Sequence, residues 1–257
     1  MSFQAANHPV FGIPGYFFFA ELGFVFATSV FIVLIAKNSY QLSVNIRILA
    51  ISFVFLLISA RITGCLSGVF RDLGNGTGLS VESLTKTGIV FYGGLLGFIA
   101  SYRFFALRLE QDLHILDLLA VVIPLFHALA RIGCFFGGCC YGIENHGKLS
   151  VLYTNSVFGT METVQRIPIQ LIEASYNLIL FVYLLTVALS PNWQSRKILK
   201  QYLILYSFGR FFFEYLRGDT VRGVICGISF SQTISLLILL ILVVHPCIKK
   251  LLLKEDQ

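Results

Sequence analysis

Charge is what this 257-residue chain has least of: 12% of its residues are Asp, Glu, Lys or Arg, against 56% hydrophobic, and the mean hydropathy is +0.81. A water-soluble domain carries about 25% charged residues, so an ordinary soluble core is excluded. No Lys or Arg precedes Lys37. The basic start of a cleaved secretory signal is therefore missing, and the first apolar helix is expected to stay. Internal repeats, low-complexity tracts and linkers rich in Pro or Ser are absent as well, which points to a single integral membrane domain over residues 1–257. The six cysteines lack the spacing of a secreted disulfide framework. The formal net charge of +6 reads as a topological signal plus attraction to anionic lipid, and nucleic acid is not an expected partner.

What is there is a succession of long apolar runs. A hydrocarbon layer about 30 Å thick requires roughly 20 mostly apolar residues per helical crossing, because lipid offers a bare peptide group no hydrogen-bond partner. Seven stretches qualify: Tyr16 to Ala36, Ile48 to Gly68, Gly88 to Phe105, Leu116 to Phe136, Gln170 to Leu189, Tyr202 to Leu216 and Ile234 to Ile248. The expected fold is all-α and polytopic, with seven transmembrane helices and external loops at about 69–87 and 137–169. Lys37, Arg47, Arg103, Arg108, Arg196, Lys197, Lys200, Lys249, Lys250 and Lys254 fall on one side of this topology. Arg71, Lys86, Lys148, Arg166, Arg217 and Arg222 fall on the other. The richer side marks the cytoplasm, so the N-terminus is expected outside and the C-terminus inside.

Charges left within the spans cost several kcal/mol each at the bilayer centre, on the order of 3 or more, and so mark candidate sites. Arg210 and Glu214 are four apart on one helical face, and Arg217 is expected a turn further along it. They form either a self-neutralising pair or an anion site, since guanidinium offers forked donors that match phosphate oxygens. His127 and Arg131 share the same spacing, and Gln170 and Glu173 are three apart at the start of the fifth span, where Pro168 suits a first turn. Arg61, Glu21 and Asp117 add charge, and Arg61 is expected to pair with one of the two acids. Cys134, Cys139 and Cys140 cluster near His127, which raises a metal or redox site; the paired C-x-x-C of structural zinc sites is absent, so no metal and no cofactor is expected. The glycines at 133, 137, 138 and 142 permit close helix packing or a backbone approach to a ligand.

In order along the chain, four motifs resemble those of the bacterial prolipoprotein diacylglyceryl transferases. Tyr16 ahead of Gly23-Phe24 is similar to that family's first-helix tyrosine, and Phe91-Tyr92-Gly93-Gly94 resembles its F-H-G-G stretch. Arg131-Ile132-Gly133-Cys134-Phe135 with Gly138 and Gly142 resembles its signature, and Pro168-x-Gln170-Leu171-x-Glu173 with Arg210, Glu214 and Arg217 matches its later motifs. The resemblance implies a transferase of the bacterial cytoplasmic (inner) membrane; a monomer is expected, with its active site toward the outer side, where the two longest loops of the expected topology lie. Such an enzyme moves a diacylglyceryl group from phosphatidylglycerol to the lipobox cysteine of a prolipoprotein signal peptide and releases glycerol phosphate.

On that reading His127, Arg131, Arg210 and Tyr92 are the expected catalytic residues. Tyr16, Arg61, Gly93, Gly94, Cys134, Gly138, Gly142, Gln170, Glu173, Glu214 and Arg217 are expected to bind substrate, and Arg131 and Arg210 are expected to converge on the lipid phosphate. Three positions depart from the family pattern: Tyr92 and Ile167 stand where histidines are expected, and Cys134 where an asparagine is. Tyrosine ionises near pH 10 and is a poor base at neutral pH, so His127 is expected to take over acid-base work. A paralogue that transfers from phospholipid to another acceptor, and a non-enzymatic lipid or anion transporter, are the alternatives. The transporter would show symmetric halves, and no such repeat is apparent.

Overall fold

The computed structural model describes residues 4–5, 9–76, 88–154, 163–218 and 223–244. Among them seven helices follow the seven apolar stretches in order: α1 (Gly15–Lys37), α2 (Leu42–Gly74), α3 (Phe91–Arg108), α4 (Ile115–Phe136), α5 (Ile169–Leu189), α6 (Ile198–Phe213) and α7 (Phe230–Leu239). Of these, α1, α2, α4 and α5 are long and apolar enough to cross a membrane.

Several expected boundaries shift. The helix α2 runs to Gly74, so the supposed loop at 69–87 begins as helix, and its residues 77–87 lie outside the described set. After Phe213 the sixth helix tightens into a 3₁₀ turn, Glu214–Leu216, and α7 passes into a π turn, Leu240–Val244. Residues 245–248 of the seventh expected span, and Lys86, Arg222, Lys249, Lys250 and Lys254, also lie outside the described set.

The all-α expectation missed seven short strands: β1 (Gln4–Ala5), β2 (Pro9–Val10), β3 (Ile13–Pro14), β4 (Val151–Thr154), β5 (Thr163–Arg166), β6 (Val224–Ile225) and β7 (Ile228–Ser229). Runs of two to four residues carry no readable alternation.

The chain divides into two compact units. The first comprises Met1–Val33, Leu119–Arg196 and Tyr215–Asp219. In it β4 pairs antiparallel with β5 and parallel with β1, giving the order β1-β4-β5. Two of its strands, β4 and β5, lie in the stretch 137–169 that was expected to be a loop. Isolated bridges join Gly142 to Arg217 and Glu144 to Arg166. Tyr153 of β4 is buried against Phe135, with Phe136, Tyr141, Val151 and Leu171 around them. The helices α1 and α4 approach closely at Gly133, where an added Cβ would stand 3.0 Å from the Tyr16 carbonyl oxygen, and Phe19 stacks on Phe136 at 5.0 Å between centroids.

The second unit comprises Leu34–Leu118, Lys197–Glu214 and Thr220–Gln257. Its interior buries polar side chains among apolar ones such as Ile48, Leu95, Phe98 and Ile115. Helix α2 buries Asn45, Ser52, Gly64, Ser67 and Asp72 and exposes Val54, Ile58 and Ile62. A helix solvated by hydrocarbon gains nothing by hiding leucine, so its contacts are made by small residues and its polar groups turn inward. Accordingly α3 lies against α2 through Gly93, Gly94 and Gly97, whose missing side chains leave room for Thr63, Ala60 and Ser59. Tyr102 donates to Asn45 at 2.8 Å, and Asn45 donates to Gln111 at 3.2 Å. Ser229 and Gln232 close a capping box at the start of α7, satisfying backbone donors that the helix itself leaves open.

At Gly64 the neighbour is backbone rather than a side chain that could turn away: an added Cβ would fall on the carbonyl oxygen of Gly88. Overpacking of a helix contact costs about 1–3 kcal/mol. Gly64→Ala is therefore expected to lower the unfolding midpoint in detergent by several degrees, read by intrinsic fluorescence. An unchanged midpoint would mean that this contact is not formed.

Candidate active site

Two clusters of buried polar residues stand out, one in each unit. In the first unit Glu173, on the opening turns of α5, lies between two guanidiniums. Its Oε2 is 2.5 Å from Nε of Arg131 on α4, and its Oε1 is 3.9 Å from Nη1 of Arg217. All three are buried, at 2%, 5% and 9% exposure for Glu173, Arg131 and Arg217. Arg131 Nε also donates to Nε2 of the buried His127 one turn earlier, at 3.1 Å. A nitrogen that accepts carries no proton, so this contact describes neutral imidazole with its hydrogen on Nδ1. The i,i+4 spacing of His127 and Arg131 thus makes the contact expected of it.

Arg217 departs from expectation. It was expected on the Arg210–Glu214 face, but the helix ends before it, and the following backbone bridges to Gly142. Gly142 is required there: an added Cβ would stand 2.5 Å from the Ile167 carbonyl oxygen and 2.9 Å from that of Leu216. The guanidinium therefore reaches Glu173 from the bridged backbone that follows the 3₁₀ turn Glu214–Leu216.

The end of α4 shapes the rest of this cluster. Gly138 N–H bonds the Phe135 carbonyl at 3.2 Å and Cys139 N–H bonds that of Cys134 at 3.1 Å, with Gly138 at φ +65°. This pair of bonds around a left-handed glycine is the Schellman termination, and it turns the chain back on the helix. Cys140, at φ +58°, continues the turn. The sulfurs of Cys134, Cys139 and Cys140 consequently lie within 4.8 Å of one another. Hydrogen bonds from the Cys134 and Cys139 thiols hold the Cys140 thiol well below the ordinary cysteine value, and the Arg217 and Arg131 guanidiniums act in the same direction. Gln170 secures the turn, donating to the Cys139 carbonyl at 2.7 Å and accepting from Tyr153 at 2.9 Å. At the rim Arg166 stacks over Tyr141, 4.5 Å from the ring centre, and meets Glu144 at 3.2 Å.

In the second unit Arg210 is paired with Glu214 and donates from Nη2 to Ser231 at 3.5 Å. Tyr92, 2% exposed, shares a 2.6 Å hydrogen bond with Ser235, which in turn donates to the Ser231 carbonyl at 2.9 Å. Tyr206 packs edge-on to Tyr92 and stacks with Tyr202. Tyr92 is thereby held in a hydroxyl network next to Arg210.

Gly93 and Gly94 are occupied with the α2 contact, and Arg61 is exposed on α2. Asp117, a candidate partner for Arg61, instead accepts from Leu199 N–H at 2.7 Å and faces His114 at 3.7 Å. Tyr16 begins α1, with its backbone against Gly133. Ser231, Ser235, Tyr206, Tyr153 and Arg166 were not singled out from the sequence. Only the i,i+4 serines within an apolar helix offered a signal for them.

Removing one partner of a buried ion pair strands the others and costs about 3–5 kcal/mol. Glu173→Gln keeps the side-chain volume and leaves two guanidiniums without a counter-charge. Its expected effect is a loss of stability of about that size in detergent, larger than that of Glu144→Gln at the exposed rim, measured by thermal unfolding. Equal midpoints for the two variants would remove Glu173 from its central place.

A family model described as prolipoprotein diacylglyceryl transferase matches residues 5–247. A phosphatidylglycerol-prolipoprotein diacylglyceryl transferase of Clostridium tetani is 33% identical over 180 residues, which are 67% of this chain and 64% of that one. A second, from Clostridium perfringens, is 31% identical over 175 residues, 67% and 62% of the two chains. A third, from Streptococcus equi subsp. zooepidemicus, is 32% identical over 168 residues, 64% and 63%. The matched part of this chain thus spans a little under two thirds of the length of these relatives. With a match that runs from the first strand through α7, this multi-pass membrane chain belongs to the prolipoprotein diacylglyceryl transferase family.

Proposed function

We propose that this chain transfers a diacylglyceryl group from phosphatidylglycerol to the lipobox cysteine of a prolipoprotein, forming a thioether and releasing glycerol phosphate. Arg131 carries the proposal. Its contacts with Glu173 and His127 both run through Nε, so the Nη1–Nη2 edge of the fork is the one a phosphate would meet. Glu173 and His127 fix the plane of the guanidinium before substrate arrives. A donor held in place in a dry site stabilises charge building on a leaving phosphate without reorganising first. His127 is the proton-exchanging group on the phosphate side.

Arg210, Glu214 and Tyr92 are a second anion-handling cluster, supported by their own burial and hydroxyl network. The side chain of Tyr92 acts there as a hydrogen-bond donor. The membrane arrangement proposed with this activity is seven crossings of the bacterial inner membrane, N-terminus outside, C-terminus cytoplasmic, with the site toward the outer face of a monomer. Lipid and signal peptide then enter laterally.

Incubating the purified protein in detergent with labelled phosphatidylglycerol and a lipobox peptide tests this reading, and thioether product is the expected result. Glycerol phosphate released without peptide modification favours another acceptor; bound lipid with no release favours transport. In the same assay Arg131→Ala is expected to slow turnover by roughly 100-fold or more. Arg131→Lys is expected to fail similarly, since the donors of an ammonium sit on one nitrogen and cannot meet two phosphate oxygens as a planar pair while also holding Glu173 and His127 as Nε does. His127→Ala is expected to abolish turnover while Tyr92→Phe retains more of it. Near-normal product from His127→Ala would defeat its proton-exchange role.

A further inference from the structure

Phosphate binding at Arg131 leaves the neighbouring thiols of Cys134, Cys139 and Cys140 without a role. They share one local element, the glycine turn that ends α4, and their sulfurs already lie within 4.8 Å of one another. Three sulfurs about 2.3 Å from a zinc ion in tetrahedral geometry stand about 3.8 Å apart, so each pair needs to close by about 1 Å at most. Cys134 is buried and the other two are partly buried. The C-x₄-C-C spacing differs from C-x-x-C because the helix terminus, rather than a hairpin, brings the ligands together.

We propose that Cys134, Cys139 and Cys140 bind a zinc ion as a three-thiolate site whose fourth position is open, and that the thiol of the acceptor cysteine takes that position. The metal site stands on its own geometry; the role of the fourth position rests on the diacylglyceryl-transfer reading. Thiolate ligands select a soft or borderline ion over calcium or magnesium, and zinc with three protein ligands keeps one place for an exogenous group. Three thiolates on a divalent ion carry one negative charge, and Arg131 and Arg217 are the cations whose fields reach these thiols. A monovalent ion would leave two charges to be offset in the same buried space.

A coordinated thiol is deprotonated outright, and thiolate is the reacting form of cysteine. The acceptor's proton passes to water as its sulfur binds the ion. A sulfur electron pair then forms the bond to the glycerol carbon that bears the phosphate. The carbon–oxygen bond breaks and its electron pair leaves on the glycerol phosphate oxygen. The zinc does not change oxidation state, and the thioether, a weaker ligand than thiolate, is released.

The test uses the full chain purified in detergent, equilibrated with zinc alone, desalted and analysed by elemental mass spectrometry. The expected result is one zinc ion per chain, lost in Cys134→Ser, Cys139→Ser and Cys140→Ser, with an unchanged helical circular dichroism spectrum and elution volume in detergent as the check on folding. Substoichiometric zinc in the unmodified chain, or zinc retained by all three variants, overturns the site. A cobalt-loaded sample supplies the second measurement, which needs no variant. Its visible spectrum is expected to show four-coordinate thiolate ligation and to shift when a lipobox peptide is added, but not when the peptide carries serine in place of the cysteine. A spectrum indifferent to the cysteine peptide overturns the acceptor role. A shift without thioether formation upholds the metal-bound thiol and counts against the transfer reaction instead.

Discussion

A single carboxylate shared between two buried guanidiniums governs the first unit. Glu173 is 2% exposed, and Arg131 and Arg217 supply the counter-charge that a buried carboxylate requires, while each guanidinium gains a partner for its own burial. The constraint propagates outward. It ties α4 to α5, and it is met by the chain just after the 3₁₀ turn Glu214–Leu216, where the backbone of Arg217 bridges to Gly142. The close approach of Gly142 to the carbonyls of Ile167 and Leu216 holds that segment in place. His127 then completes the orientation of Arg131 from one turn away.

The second unit solves a related problem with less charge. Arg210 and Glu214 neutralise one another along a helix, and hydroxyls from Ser231, Ser235 and Tyr92 finish the hydrogen bonding. Because hydrocarbon does not drive apolar groups inward, α2 and α3 meet through glycine, serine, threonine and alanine, and the same small residues leave the buried polar side chains room to find each other.

What the sequence made legible was what is local. Apolar length pointed to the helices α1 to α7 among the described residues, four of them long and apolar enough to cross a membrane, and four-residue spacing identified the contacts between His127 and Arg131 and between Arg210 and Glu214. The pairing of Arg131 with Glu173 joins residues 42 positions apart on different helices, and no periodicity encodes that. Arg217 was misassigned because extending a 3.6-residue period past Phe213 assumes that the helix continues, whereas the chain tightens at Glu214 and leaves. The cysteines were judged against a C-x-x-C template that takes no account of helix termination. A glycine four residues after Cys134, just ahead of Cys139, was the readable sign that the thiols would meet.

Arginine rather than lysine at position 131 follows from the number of directions it must serve. Its Nε is committed to Glu173 and His127, both supplied by the protein, and its remaining edge is a planar pair of donors spaced for two oxygens of one phosphate. Those inward contacts hold the side chain in one plane, so phosphate binding does not have to order it. Pre-organisation and recognition are then properties of a single group, and the carboxylate that stabilises the fold is the same one that aims the donor. A family member could vary the residues that handle the thiol and keep this core unchanged, because the charges around Glu173 answer to burial whether or not substrate is bound. That separation is consistent with a chain that departs from the family pattern at Tyr92 and Cys134 while Arg131, Gln170 and Glu173 keep their places in it.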